Sequence, residues 1–275
     1  MIYYATANLL AGDDVTITGS SEDALYVFEN IYNRRPSKPF RFTGIGSAGN
    51  PEWLAFEFDA AKGVSLLGIF NHNMTALAGI DDALVLKGSA TTAALQNWAS
   101  PPWSIDLKGR IVSGWNDIYQ ALDLAYRTYR LEVIDTAQTA GYVELGEVML
   151  AEYTALANAR VQPGRQESPE LHWIRNKTAF GQHWNEPLAH SVKLTLEIWN
   201  LNNPAQVDSV RTMITAIHAA GGQFVIVPNP SLPFAYYVVL ANDGGFMQSV
   251  ARGLTSEVSA WTLELETLTK GIILQ

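Results

Sequence analysis

The chain contains no cysteine, which excludes a disulfide scaffold, a thiolate zinc site, an iron–sulfur cluster and a cysteine nucleophile together. Charge is sparse: 16% of the 275 residues are Asp, Glu, Lys or Arg, and the formal balance is −9. Residues 1–160 hold 11 basic and 18 acidic side chains, and residues 161–275 hold 7 and 9. Neither part offers the clustered basic face that grips a phosphate backbone. Long apolar runs are missing too; none approaches the roughly 20 residues that span a bilayer. The opening Met-Ile-Tyr-Tyr lacks the basic-then-apolar pattern of a secretory leader. The expectation is a soluble protein without a signal peptide, without nucleic-acid specificity and without membrane insertion.

Catalytic motifs are equally scarce. No Walker loop, G-x-S-x-G elbow or H-E-x-x-H occurs, and the one G-x-G-x-x-G spacing, at Gly44, Gly46 and Gly49, lacks the strand-then-helix setting that a dinucleotide site needs. Gly44-Ile45-Gly46-Ser47-Ala48-Gly49 follows a β-type run with no helix start after it, so it reads as a turn between strands. Among His72, His172, His183, His190 and His218, no two share the i, i+2 or i, i+4 spacing that aims imidazoles at one metal from one element. Asp13-Asp14, Asp81-Asp82 and Glu264/Glu266 are paired carboxylates of the type a glycosidase needs across a cleft. Their settings, turns and one strand face, read as solvated polar positions. No catalytic residue, metal ligand or cofactor is assigned, and the chain is expected not to be an enzyme.

What the sequence does hold is apolar and aromatic: 48% hydrophobic residues and 11% Phe, Trp and Tyr, enough to fold throughout. Short alternating runs separated by turn residues dominate up to about residue 160. They are Val15–Thr18, Pro39–Thr43, Trp53–Asp59, Val64–Asn71, Ala83–Lys87, Tyr126–Ile134 and Tyr142–Leu150. Asp117–Leu124 fits either a short helix or the approach to a strand. The polar, Pro- and Gly-punctuated stretch near 160–168 reads as a boundary, and residues 161–187 as a linker containing aromatics. From 188 a smaller α+β domain follows. It has a long strand over Ala189–Asn200 and a helix at about 204–220, opened by Asn203-Pro204 and stopped by Gly221-Gly222. A hairpin of Gln223–Val227 with Phe234–Ala241 and a last strand over Ala260–Leu268 complete it. The fold class expected is mainly β, a jelly-roll sandwich over 1–160 plus this α+β domain over 188–275.

Several of these segments have a familiar order. Ala7-Asn8-Leu9-Leu10, the Tyr26–Asn33 loop, Trp53–Asp59, Val64–Phe70 ending in Asn71-His72-Asn73, Tyr129-Arg130-Leu131-Glu132-Val133 and Tyr142–Leu150 resemble the discoidin, or galactose-binding-like, jelly roll over about residues 5–155. The second part, with Phe224-Val225-Ile226-Val227-Pro228 and Trp261–Glu266, is similar to the tail-tube unit of phage tails. The resemblance implies a virion protein of the tail tip or baseplate, similar to distal tail proteins and made in the host cytoplasm. Its partners would be copies of itself in a hexameric or trimeric ring, the tail tube and hub proteins, and a host-surface glycan.

Two residue sets follow. Val192, Leu194, Leu196, Ile198 and Trp199 of the long strand, with Trp173, Phe180 and Trp184 of the linker, are the candidate assembly interface. His72, Asn73, Trp98 and Trp103 are candidate glycan contacts, because aromatics on sandwich loops can stack on sugar rings. Trp98, Trp103 and Trp115 serve equally well as lids on the core, and the Asn71-His72-Asn73 cluster equally well closes a strand end by bonding its own backbone. A carbohydrate-binding module for host-surface recognition is therefore the alternative to the tail-tip reading.

Overall fold

The computed structural model describes residues 2–111, 117–156, 160–161, 166–177, 183–201, 204–227, 236–240, 246–252 and 257–267. The chain opens on β1 (Ile2–Ala5) and a 3-10 turn at Leu9–Ala11, then runs through β2 (Val15–Gly19), a 3-10 turn at Phe28–Tyr32 and β3 (Phe40–Arg41). β4 (Glu52–Phe70), β5 (Ala83–Ser89), β6 (Trp103–Asp106), β7 (Ile118–Ile134), β8 (Glu144–Leu145) and β9 (Glu147–Ala151) follow. The remainder holds β10 (Thr154–Leu156), β11 (Arg160–Val161), β12 (Gln166–Lys177), β13 (His183–Leu201), α1 (Pro204–Ala219), β14 (Gln223–Val227), β15 (Tyr236–Leu240), β16 (Phe246–Arg252) and β17 (Glu257–Thr267). Among the described residues no helix is long and apolar enough to cross a membrane.

Residues 5–154 form one compact unit, a jelly-roll sandwich. Its main sheet has the order β2-β4-β7-β5-β6, with β9 paired to the far half of β4. Alternation explains the layer: Leu54, Phe56 and Phe58 of β4, Tyr129, Leu131 and Val133 of β7, and Leu84 and Leu86 of β5 all belong to one buried cluster. Phe40 and Phe42, in and after β3, and Val143 and Leu145, before and in β8, contribute to the same core. Phe40 stacks on Phe28 at 5.1 Å and meets Phe42 edge-on at 4.8 Å.

Two expectations change here, and one open alternative resolves to strand. The runs 53–59 and 64–71 are one strand, β4; Asp59-Ala60-Ala61-Lys62-Gly63 is not a break but an irregularity where the register against β7 shifts between Glu57 and Lys62. Asp117–Leu124 is strand from Ile118 onward, not helix. Residues 166–177 and 183–187, expected as linker, are strand: β12 pairs antiparallel with β13 along its whole length, Gln166 opposite Thr195 through Lys177 opposite His183.

The second unit combines residues 2–4 with residues 155–229 and 236–275. Its sheet has the order β10-β1-β14-β15-β17-β13-β11, with β12 on β13 and β16 on β17. The first strand of the chain thus lies beside β14, more than two hundred positions away, and the boundary expected at 160 is crossed at both ends. Helix α1 buries Val210, Met213 and Ile217, the spacing of one apolar stripe. It stops where Gly221 and Gly222 take φ of 76° and 82° and donate to the His218 and Ile217 carbonyls, a left-handed cap that favours glycine. Asn203, expected as the N-cap, lies outside the described residues.

Ile2 is fully buried in this arrangement. Ile2→Ala is expected to cost about 2–5 kcal/mol and, in hydrogen exchange, to lower protection of the β14 amides before those of β4 and β7. Loss confined to β4 and β7 would show that β1 belongs to the other unit.

Candidate functional site

The sandwich sheet has a second face, and the same register that buries Leu54, Phe56 and Leu131 sends their neighbours outward. Trp53 lies opposite Glu132, and Glu132 opposite Val85; Ala55 lies opposite Arg130, and Arg130 opposite Lys87; Glu57 lies opposite Thr128, and Thr128 opposite Ser89. Side chains in register on one face are near neighbours, so these rows gather an indole, a guanidinium, an ammonium and a carboxylate. The Arg130 guanidinium lies over the Trp53 ring, 4.4 Å from its centroid. Lys87 Nζ is 2.6 Å from Glu132 Oε2, and Arg130 Nε is 2.9 Å from Glu132 Oε1.

The loop after β5 folds back across this face and brings a second indole. Trp98 lies near the Arg130 guanidinium at 5.5 Å, so the cation has two aromatic rings within cation–π reach, an attraction worth more when partly desolvated. The loop is held at several points. Thr128 Oγ1 donates to the Thr91 carbonyl (2.7 Å), the Ala93 N–H to Glu57 Oε2 (2.9 Å) and Lys87 Nζ to the Trp98 carbonyl (2.8 Å). Trp98 Nε1 donates to the Ala93 carbonyl (3.2 Å), and Ser89 Oγ to Gln96 Oε1 (2.6 Å). Burial lowers the Arg130 pKa, and the Glu132 charge only partly opposes that effect.

Of the candidate glycan residues, only Trp98 lies at this site. Trp103 begins β6 and packs partly buried against the core, its ring 6.2 Å from that of Tyr126. His72 is 2% exposed, and its Nδ1 accepts the Met74 N–H at 3.1 Å. Burial removes it from any surface site and pushes its pKa down to about 3. Asn73 is committed to backbone, accepting from the Glu144 N–H (2.7 Å) and donating to the Tyr142 carbonyl (3.2 Å). Both residues close the end of β4, His72 buried and Asn73 partly exposed. Trp115 lies outside the described residues.

Among the assembly candidates, Val192, Leu194, Leu196, Ile198, Trp199 and Trp184 fall on β13 and Trp173 on β12, while Phe180 lies outside the described residues. The register sets Leu194 opposite Leu265, Leu196 opposite Leu263 and Ile198 opposite Trp261, so these positions are engaged in the sheet of their own chain.

A second cationic cluster was not visible in the sequence, because its members come from three separate segments. Arg41 lies between the Tyr26 and Tyr142 rings at 3.7 and 3.9 Å and donates through Nε to Glu144 Oε1 at 2.8 Å. Asp23 adds a carboxylate at 4.0 Å. Burial acts to lower the Arg41 pKa, but the Glu144 bond and the neighbouring Glu144, Tyr142 and Tyr26 charges outweigh it and the net shift is upward. This arginine is fully compensated.

Of the paired carboxylates, Asp14 makes a surface ion pair with Lys62 at 2.5 Å. Asp82 is buried and accepts from the Gly79 N–H and from the N–H and hydroxyl of Thr136 (2.6–2.8 Å). Burial raises its pKa, but those bonds and the Lys108 charge hold it below the ordinary value. Glu147 is the opposite case. It is 1% exposed and receives Asn8 Nδ2 at 3.3 Å, and burial outweighs that bond and Arg34, raising its pKa from 4.5 to about 8.

No protein-family model matches the chain, and no curated protein matches it. Over about half its length it is similar to solved carbohydrate-binding domains. One is a family 32 module from Clostridium perfringens in complex with galactose (TM-score 0.38, 9% identity, 56% of this chain and 100% of that one). Another is a chitosan-binding module from a chitosanase/glucanase of Paenibacillus sp. (0.40, 12%, 53% and 99%). A third is the lectin domain of lectinolysin complexed with Lewis B antigen (0.40, 11%, 55% and 99%). At these scores the likeness carries no argument about function, which rests on the site itself.

The buried Glu147 gives a sign for pH dependence. Its folded pKa of about 8 exceeds the ordinary 4.5, so the stability it supports is complete below pH 4.5 and is lost as pH rises through 8. Glu147→Gln is expected to flatten that decline in urea unfolding between pH 4.5 and 8. An unchanged slope would mean that Glu147 ionises normally in the folded protein.

Proposed function

We propose that the sandwich unit binds carbohydrate on the outer face of its main sheet and that it binds rather than catalyses. The observation that carries this reading is the pair of half-buried indoles, Trp53 and Trp98, flanking a planar guanidinium with a carboxylate and an ammonium at its edge. A sugar ring presents an apolar C–H face and a rim of hydroxyls. An indole supplies the matching apolar surface, and Arg, Lys and Glu supply donors and acceptors in fixed positions. Backbone and side-chain bonds from the 90–98 loop hold these groups before any ligand arrives, which reduces the ordering cost of binding.

The test is a glycan array followed by calorimetric titration of the full chain. Trp98→Ala is expected to weaken binding at least about tenfold, the scale of one lost stacking contact, with the unfolding midpoint little changed. Binding that survives both Trp98→Ala and Trp53→Ala would move the site elsewhere.

The second reading is a ring-forming structural component of a phage tail tip or baseplate, and one feature of the second unit favours it. β13 runs for 19 residues, well beyond the usual five or six. From His183 to Val192 it pairs only with β12 among the described residues, because β17 joins it at Lys193. A two-stranded ribbon is marginal alone in water and has open backbone edges that another copy can pair with. Negative-stain microscopy over a concentration series is expected to show closed rings with a lumen. A monomer at every concentration, also with tail-tube protein added, would rule the ring out.

A further inference from the structure

We propose that the outer-face site selects sugars that carry a carboxylate, such as uronates, and that Arg130 and Lys87 receive that group. The inference rests on the carbohydrate-binding reading and adds the class of sugar. It follows from a charge count over the side chains that face one another there.

Two cations, Arg130 and Lys87, share one carboxylate, Glu132, whose two oxygens are divided between them. Arg130 Nε is buried and makes no hydrogen bond, because Glu132 Oε1 lies close to it but off the N–H direction. The remaining charges on the same face are engaged elsewhere. Glu57 pairs with Arg127 at 3.4 Å and accepts the Ala93 N–H, while Asp106, out on β6, accepts the Lys108 N–H at 2.8 Å. Within the Arg130–Lys87–Glu132 triad one positive charge is left over beside the two indoles, in a sandwich whose 1–160 stretch carries seven more acidic than basic groups. At physiological salt, fields fade over about 8 Å, so a ligand at Arg130 responds to this local excess and not to the net charge of the chain.

The Arg41 cluster shows what a purely structural arginine looks like in the same unit. It too has two aromatic rings within cation–π reach, but it has two carboxylates, one of them bonded through Nε. Arg130 lacks that second carboxylate, and a ligand carboxylate supplies the missing partner. A planar guanidinium next to an ammonium suits a carboxylate, which accepts from both.

The experiment titrates the full chain with three probes of one backbone: an oligouronate, its methyl ester and the carboxyl-reduced neutral oligosaccharide. The acid is expected to bind about tenfold or more tightly than the other two, the scale of one charge-assisted hydrogen bond. Lys87→Gln is expected to remove most of that margin, read as the ratio of acid to neutral affinity. Glu132→Gln, which removes the competing carboxylate, is expected to widen it. Equal affinity for the acid and the ester overturns the selectivity and leaves carbohydrate binding standing. No binding of any probe, together with a blank glycan array, overturns both.

Discussion

The pairing of β4 with β7 is the constraint on which the sandwich depends. Both strands are long, 19 and 17 residues, and each carries apolar side chains on one face and polar or aromatic ones on the other. A slip of one residue would turn Leu54, Phe56 and Leu131 to solvent and bury Arg130 and Glu132. Tyr129 secures the register where the ladder is weakest, at the shift between Glu57 and Lys62. Its hydroxyl donates to the Lys62 carbonyl and accepts the Tyr126 N–H, both at 3.0 Å, while the ring is fully buried. Gly46 adds a second restraint at the other end of the strands. Its φ of 74° and the Val133 carbonyl 2.6 Å from where a Cβ would sit leave room only for glycine.

The outer face is a consequence of that register, not a separate construction. Once the inner row is fixed, Trp53, Arg130, Glu132 and Lys87 have no other place to point, and the loop after β5 has a charged surface to bind. It does so through Glu57, Thr128 and Lys87, all on the same face. Core packing and site geometry are therefore coupled through one ladder: a change that loosens the Tyr129 staple disturbs the position of Arg130, one residue away on the opposite face.

The sequence made the alternating strands legible because each has its own period-two pattern, and it made α1 legible because Val210, Met213 and Ile217 keep a helical spacing before two glycines. Continuity was harder to see. Asp59-Ala60-Ala61-Lys62-Gly63 has the composition of a turn, and only the pairing with β7 shows that it stays extended. β1 could not be assigned to its unit, since a four-residue strand says nothing about which distant edge it joins. In the site, Trp98 stood out as a loop aromatic, whereas Arg130, Glu132 and Lys87 read only as the polar half of two alternations. Of the two readings of the Asn71-His72-Asn73 cluster, closure of the strand end holds: His72 Nδ1 and the Asn73 side chain bond to backbone.

The fold itself does not call for charges beside Trp53 and Trp98. Desolvating an ion pair costs about as much as the pair returns, and well-packed apolar side chains serve a sheet face at least as well. An Arg with a carboxylate bonded through its Nε, as Glu144 bonds Arg41, would also complete the local bonding. What stands here is two cations against one acid, with a buried Nε left without an acceptor. An arriving anion would balance this excess. The presence of that excess on a face already furnished with indoles is the physical reason to treat the cluster as more than a fastening of the loop.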